Sequence, residues 1–212
     1  MKAFVIAIDM PESQEAAQKC VASARSMGQT VSIHKGYTPK DDPMKIASEW
    51  GIPVGNFVER FSRIENCVAA FLSHMSLWKW SIENKEEVLI LEHDAIFVDA
   101  VPVASYKGVL SLGAPSYGSF NTPSNIGVNK LVSKQYLPGA HAYMVKPTAA
   151  KVLCEVAEQH AGPTDLFLRN ELFDFVEEYY PWPVVVKDSF TTIQKVEGCV
   201  AKHGYNEDFK IL

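Results

Sequence analysis

The chain predicts an α/β fold with a largely parallel sheet, and three observations carry that reading. Short unbroken apolar runs alternate with stretches of helical period along the sequence. The first run, residues 3–8 (AFVIAI), is apolar throughout, as a strand covered on both faces requires. Gly, Pro, Asp and Asn punctuate the segments where turns are needed.

Taken in order, residues 3–8 form the first strand. Pro11 suits the first turn of a helix; Ala16, Ala17, Cys20, Val21 and Ala24 keep helical spacing, and Gly28 ends it. Residues 30–34 make a second strand. Residues 35–57 hold three prolines and three glycines, an irregular stretch apart from a short helix expected at 45–50. The clearest element follows: Ile64, Cys67, Val68, Phe71, Leu72, Met75, Trp78 and Ile82 recur three or four apart, one apolar helix face closed by Asn84 and Lys85. Val88, Leu89, Ile90 and Leu91 are a buried strand that stops at Glu92-His93-Asp94. Beyond it the pattern predicts a strand at 108–112, a loop at 113–129, a strand at 139–146, helices at 148–160 and 165–180, and a last strand at 183–187. A loop as long as 113–129 in a compact domain is usually functional or mobile.

The 212 residues are expected to form one domain, 1–212. Twenty Lys and Arg against 25 Asp and Glu give a net charge of −5, and no basic run occurs. That balance argues against a dedicated nucleic-acid surface or a polybasic membrane anchor. No apolar stretch reaches the length of a transmembrane segment. The opening MKAFVIAIDMPES, cut by Asp9 and Pro11, reads as a buried strand and not as a signal peptide. Cys20, Cys67, Cys154 and Cys199 form no CxxC pair; a reduced, cytoplasmic chain is the expectation, and a disulfide stays open.

Glu92-His93-Asp94 is the most informative spot. Ligands of open α/β sheets bind beyond the carboxyl ends of strands. In extended chain Glu92 and Asp94 project to the same side. Two converging carboxylates suit a hard cation, Mn²⁺ or Mg²⁺, bound together with substrate phosphates. Acidic residues that end a strand and face water would look the same. In the preceding helix His74 and Trp78 are i and i+4 and share an edge. They serve either as packing or as a pocket wall, His74 lying beside the apolar stripe where a polar side chain reaches a pocket edge.

Residues 64–98, IENCVAAFLSHMSLWKWSIENKEEVLILEHDAIFV, resemble glycosyltransferase family 25, which contains lipooligosaccharide and collagen galactosyltransferases. The family pattern is a Cys-containing helix with Ser-His and a following Trp, a short spacer, and a strand reading Ile-Leu-Glu-Asp-Asp. Weaker echoes keep the right order: Ile6-Ala7-Ile8-Asp9; Gly139-Ala140-His141-Ala142-Tyr143 with Pro147 and Ala150; and Pro163-Thr164-Asp165. The chain departs from the pattern at three places. His93 stands where the family has an Asp, Ala7 where it has an Asn, and Met10-Pro11-Glu12 where arginines often follow the first strand.

The resemblance implies a glycosyltransferase A-type nucleotide-sugar domain with a mixed, mainly parallel central sheet. It implies inverting transfer of a sugar, galactose in the family, from a UDP-sugar to a glycan or lipooligosaccharide-type acceptor, a role in lipopolysaccharide biosynthesis. Glu92 and Asp94 would hold Mn²⁺ or Mg²⁺, with His203 a candidate third ligand. Ile8, Asp9, Ser73, His93 and Trp78 would contact the nucleotide sugar. Asp165, after a Gly-Pro turn, is the candidate base, with His74 a second catalytic candidate; an Asp at a helix start is also favoured by the dipole alone. His141 would line the acceptor side, and Tyr117, Phe120 and Asn121 sit on a loop able to cover the donor. Two other readings remain open: a non-catalytic nucleotide-sugar or glycan-binding relative, and an unrelated metal-dependent nucleotidyl- or phosphotransferase.

Overall fold

In the computed structural model, which describes residues 1–57, 62–137, 140–187, 190–193 and 210–212, the first apolar run becomes β1 (Lys2–Ala7). Helix α1 (Pro11–Ser26) starts with Pro11 in its first turn, and Gly28 follows its end at φ 77°. After β2 (Ser32–Lys35), Asp42 caps α2 (Pro43–Glu49) by accepting a hydrogen bond from the Lys45 N–H. The long helix α3 (Ile64–Asn84) stops where Lys85 turns left-handed at φ 54°.

Strands β3 (Val88–Glu92) and β4 (Ala95–Phe97) are separated by a turn at His93 and Asp94. Then come β5 (Val109–Ser111), β6 (Gly127–Lys130) and β7 (Ala142–Val145). Helices α4 (Pro147–His160) and α5 (Thr164–Phe167) precede β8 (Val176–Tyr180) and β9 (Val184–Val186). The short strands β10 (Phe190–Thr191) and β11 (Lys210–Ile211) pair with each other.

The main sheet has the order β2-β1-β3-β7-β5-β8-β6. β2, β1, β3, β5 and β8 run one way; β7 and β6 run against them. The sheet is therefore mixed and mainly of one direction, as expected. Both faces are covered, and β3 shows how. Val88 and Ile90 pack with Phe71 and Trp78 of α3 and Leu153 of α4, while Leu89 and Leu91 pack with Ala17, Cys20 and Ala24 of α1. A strand covered on both faces has no polar side to alternate with, which is why its sequence is an unbroken apolar run.

Three sequence expectations are corrected. The helix expected at 165–180 is a single turn, α5, followed by β8. Apolar spacing across Phe167, Leu168, Phe173 and Val176 mimics a helix, and all four are indeed core residues. However, the Leu168 carbonyl accepts from the Leu137 N–H, and the Asn170 N–H donates to Gln135, which draws the chain out of a helix. The loop expected at 113–129 ends in β6, paired with β8. The strand expected at 183–187 exists as β9 but lies off the main sheet, paired with β4. Gly139, Cys199 and His203 lie outside the described residues. Among the described residues, no helix is long and apolar enough to cross a membrane.

Phe71 is fully buried, edge-on to Phe57, Trp78 and Phe167. Phe71→Ala is expected to lower stability by about 3–5 kcal/mol in a denaturant titration, as other large-to-small changes in packed cores do. Cys20 is also fully buried, and burial, aided by the nearby Asp94 charge, pushes its thiol up to about 12. It is therefore expected to resist iodoacetamide at pH 8 in the folded protein and to react once the chain is unfolded, a difference mass spectrometry reads directly.

Candidate active site

A cavity of ≈ 560 Å³ opens at the carboxyl ends of β1 and β3. Ile6 and Ile8 line it, with Glu92, His93 and Asp94. Asn66, Cys67, Ser73 and His74 come from α3, and Tyr117, Lys134, Tyr136 and Asp165 complete the lining. The volume suits a small-molecule ligand.

The position of Glu92 follows from strand parity. Val88 and Ile90 face α3, so Glu92, next in that alternation, faces it too. There Glu92 Oε1 lies 3.2 Å from His74 Nε2. Ile90 pairs with Tyr143 of β7, which brings the phenol to the same face. Tyr143 Oη lies 2.9 Å from His74 Nδ1 and accepts a hydrogen bond from Trp78 Nε1 at 3.0 Å.

One arrangement of protons satisfies this chain. The indole can only donate, so Tyr143 accepts there; with His74 neutral and its proton on Nε2, Tyr143 donates to His74 Nδ1 and the His74 Nε2–H donates to Glu92. Burial, followed by the charge of Glu92, raises the Tyr143 phenol well above its usual value, so it keeps the proton that the chain needs. His74 is 2% exposed yet lines the cavity, and the carboxylate it holds is 34% exposed. The histidine expected at a pocket edge is thus a buried wall residue that orients Glu92.

Trp78, expected to contact the nucleotide sugar, is fully buried, stacked on Phe167, and absent from the cavity wall. It reaches the site only through Tyr143. Asp9 is exposed and also off the wall, because the chain bends into α1 directly after it. Ser73 does line the cavity, but its hydroxyl donates to the Ala69 carbonyl and accepts from the Tyr37 N–H. It thereby anchors the chain after β2.

His93 packs flat on Phe190, 5.0 Å between ring centres, with Nδ1 3.2 Å from Ser13 Oγ. Ser13 is buried and accepts from the Ile8 N–H, so it joins the end of β1 to the acidic turn. Glu92 and Asp94 both line the cavity, but across a turn and not along one extended strand as expected. The strand must end there for the chain to reverse direction into β4.

Asp165 sits in α5, its Oδ1 accepting from the Leu166 N–H and its Oδ2 accepting from the Tyr117 hydroxyl at 2.5 Å. Burial, followed by the Asp165 charge, raises the Tyr117 phenol far above its usual range, so it stays a donor. His141 is buried behind Gly113, where a Cβ would come within 2.3 Å of its Nε2, and it is not on the cavity wall. Phe120 stands edge-on to Trp182, and the Asn121 amide donates to the Val132 carbonyl.

Sequence reading missed Ser13, Lys134, Tyr136 and the hub role of Tyr143. Tyr143 carried a signal, its same-face parity with Glu92 across β3, and Ser13 keeps the helical spacing of Ala17, Cys20 and Ala24 in α1; Lys134 and Tyr136 belong to a segment with no period to read. Among the described residues, no group of three or more His, Cys, Asp or Glu side chains is placed to hold a metal unaided. Two carboxylates fit a hard cation that completes its shell with water and phosphate oxygens; they do not fit a closed structural metal site.

The hydrogen-bonded chain makes a quantitative expectation. Tyr143→Phe leaves the Trp78 N–H and His74 Nδ1 without their partner and is expected to cost about 1–3 kcal/mol in a denaturant titration. His74→Ala is expected to cost a similar amount, well short of Phe71→Ala, and a loss matching Phe71→Ala would mark His74 as core packing alone.

Comparison with known protein families finds no match, and comparison with curated proteins finds none. Among solved structures the chain is similar to Drosophila β-1,4-galactosyltransferase 7, in a complex with manganese, UDP-Gal and xylobiose. The identity is 10%, the match covers 98% of this chain and 78% of that chain, and the TM-score is 0.44. A fit this loose identifies neither donor nor metal for this protein.

Proposed function

We propose that this protein is a metal-dependent, inverting glycosyltransferase of the A-type fold, akin to family 25, that moves galactose from UDP-Gal to a hydroxyl of a glycan. One observation carries the reading: Glu92, Asp94 and Asp165, from separate parts of the chain, line a single cavity at the carboxyl ends of β1 and β3. The motif resemblance of residues 64–98 names the reaction class; the cavity supplies a place for it.

In this mechanism Glu92 and Asp94 would hold Mn²⁺ or Mg²⁺, which would supply positive charge to neutralise the departing UDP. His74 keeps the Glu92 carboxylate turned toward the cavity. Ile8 and His93, on the wall beside the acidic turn, bound the nucleotide. Asp165 takes the proton of the acceptor hydroxyl as its oxygen bonds to the anomeric carbon. The bond from that carbon to the diphosphate breaks in the same step, UDP leaves with the electron pair, and attack opposite the leaving group inverts the centre. Tyr117, donating to Asp165 Oδ2, holds the carboxylate in place.

The binding-only reading draws on His93, which is packed against Phe190 and Ser13 where the resembled motif has an acid. Hydrolysis of UDP-Gal with Mn²⁺ separates the two, since transferases slowly hydrolyse donors and a binder does not. Activity in the wild type is expected to fall at least about 100-fold in Asp94→Asn, with UDP binding no longer dependent on Mn²⁺. Asp165→Asn is expected to lose transfer while keeping Mn²⁺-dependent UDP binding. Full activity in either variant overturns the assignment of that residue.

A further inference from the structure

The cavity lining also carries chemistry that the proposed reaction has not used. Lys134 is the one lysine or arginine among the described residues lining the cavity. Among the described residues its ammonium makes no ion pair; it lies 4.5 Å from the centre of the Tyr117 ring and 5.4 Å from that of Tyr136. Tyr117 gives its hydroxyl proton to Asp165, which enriches the ring and strengthens its hold on a cation. Gly118, at φ 64°, leaves the space: a Cβ there would stand 3.0 Å from the ammonium. The three N–H donors of Lys134 therefore stay available to a ligand.

The segment that carries Lys134 is held from both sides. Glu178, 1% exposed on β8, accepts from the Val132 and Ser133 N–H groups, both at 2.7 Å, and from Trp182 Nε1. On the other side Tyr136 bridges to Arg169. A buried carboxylate spent on two backbone donors immediately before Lys134 fixes where that side chain starts.

Lys134 and Tyr136 also line a second, open groove of ≈ 410 Å³, shared by these two residues with the cavity and lined further by Ser119, Asn121, Ser133 and Gln135. Uncharged amides and hydroxyls beside an aromatic ring are the groups that bind pyranoses, through hydroxyl hydrogen bonds and ring stacking. A cation at the junction of such a groove with the cavity selects a sugar with a negative charge.

We propose that Lys134 and Tyr136 form an acceptor subsite for an anionic saccharide, its carboxylate or phosphate on the Lys134 ammonium and its ring against Tyr136. The proposal rests on the transferase reading, in which Asp165, tied to the same Tyr117, faces the acceptor. It narrows the acceptor from glycans in general to acidic or phosphorylated ones.

The test titrates glucose, glucuronic acid and glucose 6-phosphate by ligand-observed NMR, with UDP and Mn²⁺ titrated in parallel. An anionic sugar is expected to bind the wild type about tenfold tighter than glucose, as one charge-assisted hydrogen bond at a half-buried site provides. Lys134→Gln should abolish that preference and Lys134→Arg restore it; the tighter of the two anionic probes says whether the charge is carboxylate or phosphate. Equal binding of all three sugars, or an unchanged preference in Lys134→Gln, overturns the subsite. So does loss of UDP binding in Lys134→Gln, which would assign the ammonium to the donor. Failure of UDP and Mn²⁺ to bind the wild type counts against the transferase instead, and a Lys134-dependent preference would then still establish the anionic-sugar site.

Discussion

The buried hydroxyl of Tyr143 is the constraint around which this site is built. It lies where α3, β3 and β7 meet, and it takes the Trp78 N–H on one side while facing His74 Nδ1 on the other. A buried polar group without partners costs more than one well-paired bond contributes. Helix α3 therefore has little freedom to rotate or slide against the sheet without breaking two hydrogen bonds and the aromatic contacts of Phe71 and Trp78. With α3 placed, Ser73 meets the Tyr37 N–H and His74 meets Glu92. One wall of the cavity is thus set by the requirement that three buried polar side chains satisfy one another.

The cavity holds three carboxylates, from β3, from the turn after it, and from α5, and one lysine among its described lining residues. Gathering like charges in a half-buried space opposes folding unless a cation or hydrogen bonds compensate. His74 and Tyr117 supply part of that compensation, each donating to a single carboxylate. The segment that carries Lys134 rests on a second buried polar device, Glu178, so it too is held by satisfied interior hydrogen bonds.

Much of the architecture was legible because it rests on local patterns. An unbroken apolar run announces a doubly covered strand, and the eight apolar positions of α3 announce its buried face; the structure has both. The same logic fails for residues 165–180, where helical spacing of core residues coincides with a strand held by β5 and β6. Periodicity reports which residues are buried, and here the partners of the backbone groups decided the shape. In the site, Glu92, Asp94, Asp165, Ser73, His74, His93 and Ile8 were singled out from sequence and all line the cavity, whereas Trp78 and Asp9 do not.

The sequence by itself determined the α/β class, the buried helix and the acidic residues at the end of β3, because each is written within a few turns of helix or a few residues of strand. The tertiary structure alone decided that Asp165 and Glu92 would line one cavity, that Tyr143 would join Trp78 to His74, and that Lys134 would stand over two tyrosine rings. These pairs are far apart in the chain, and side chains so separated meet only once the sheet order and the rotation of α3 are settled. That settlement is made by the whole core burying its apolar surface and pairing its polar groups at once, so no local stretch of residues records it.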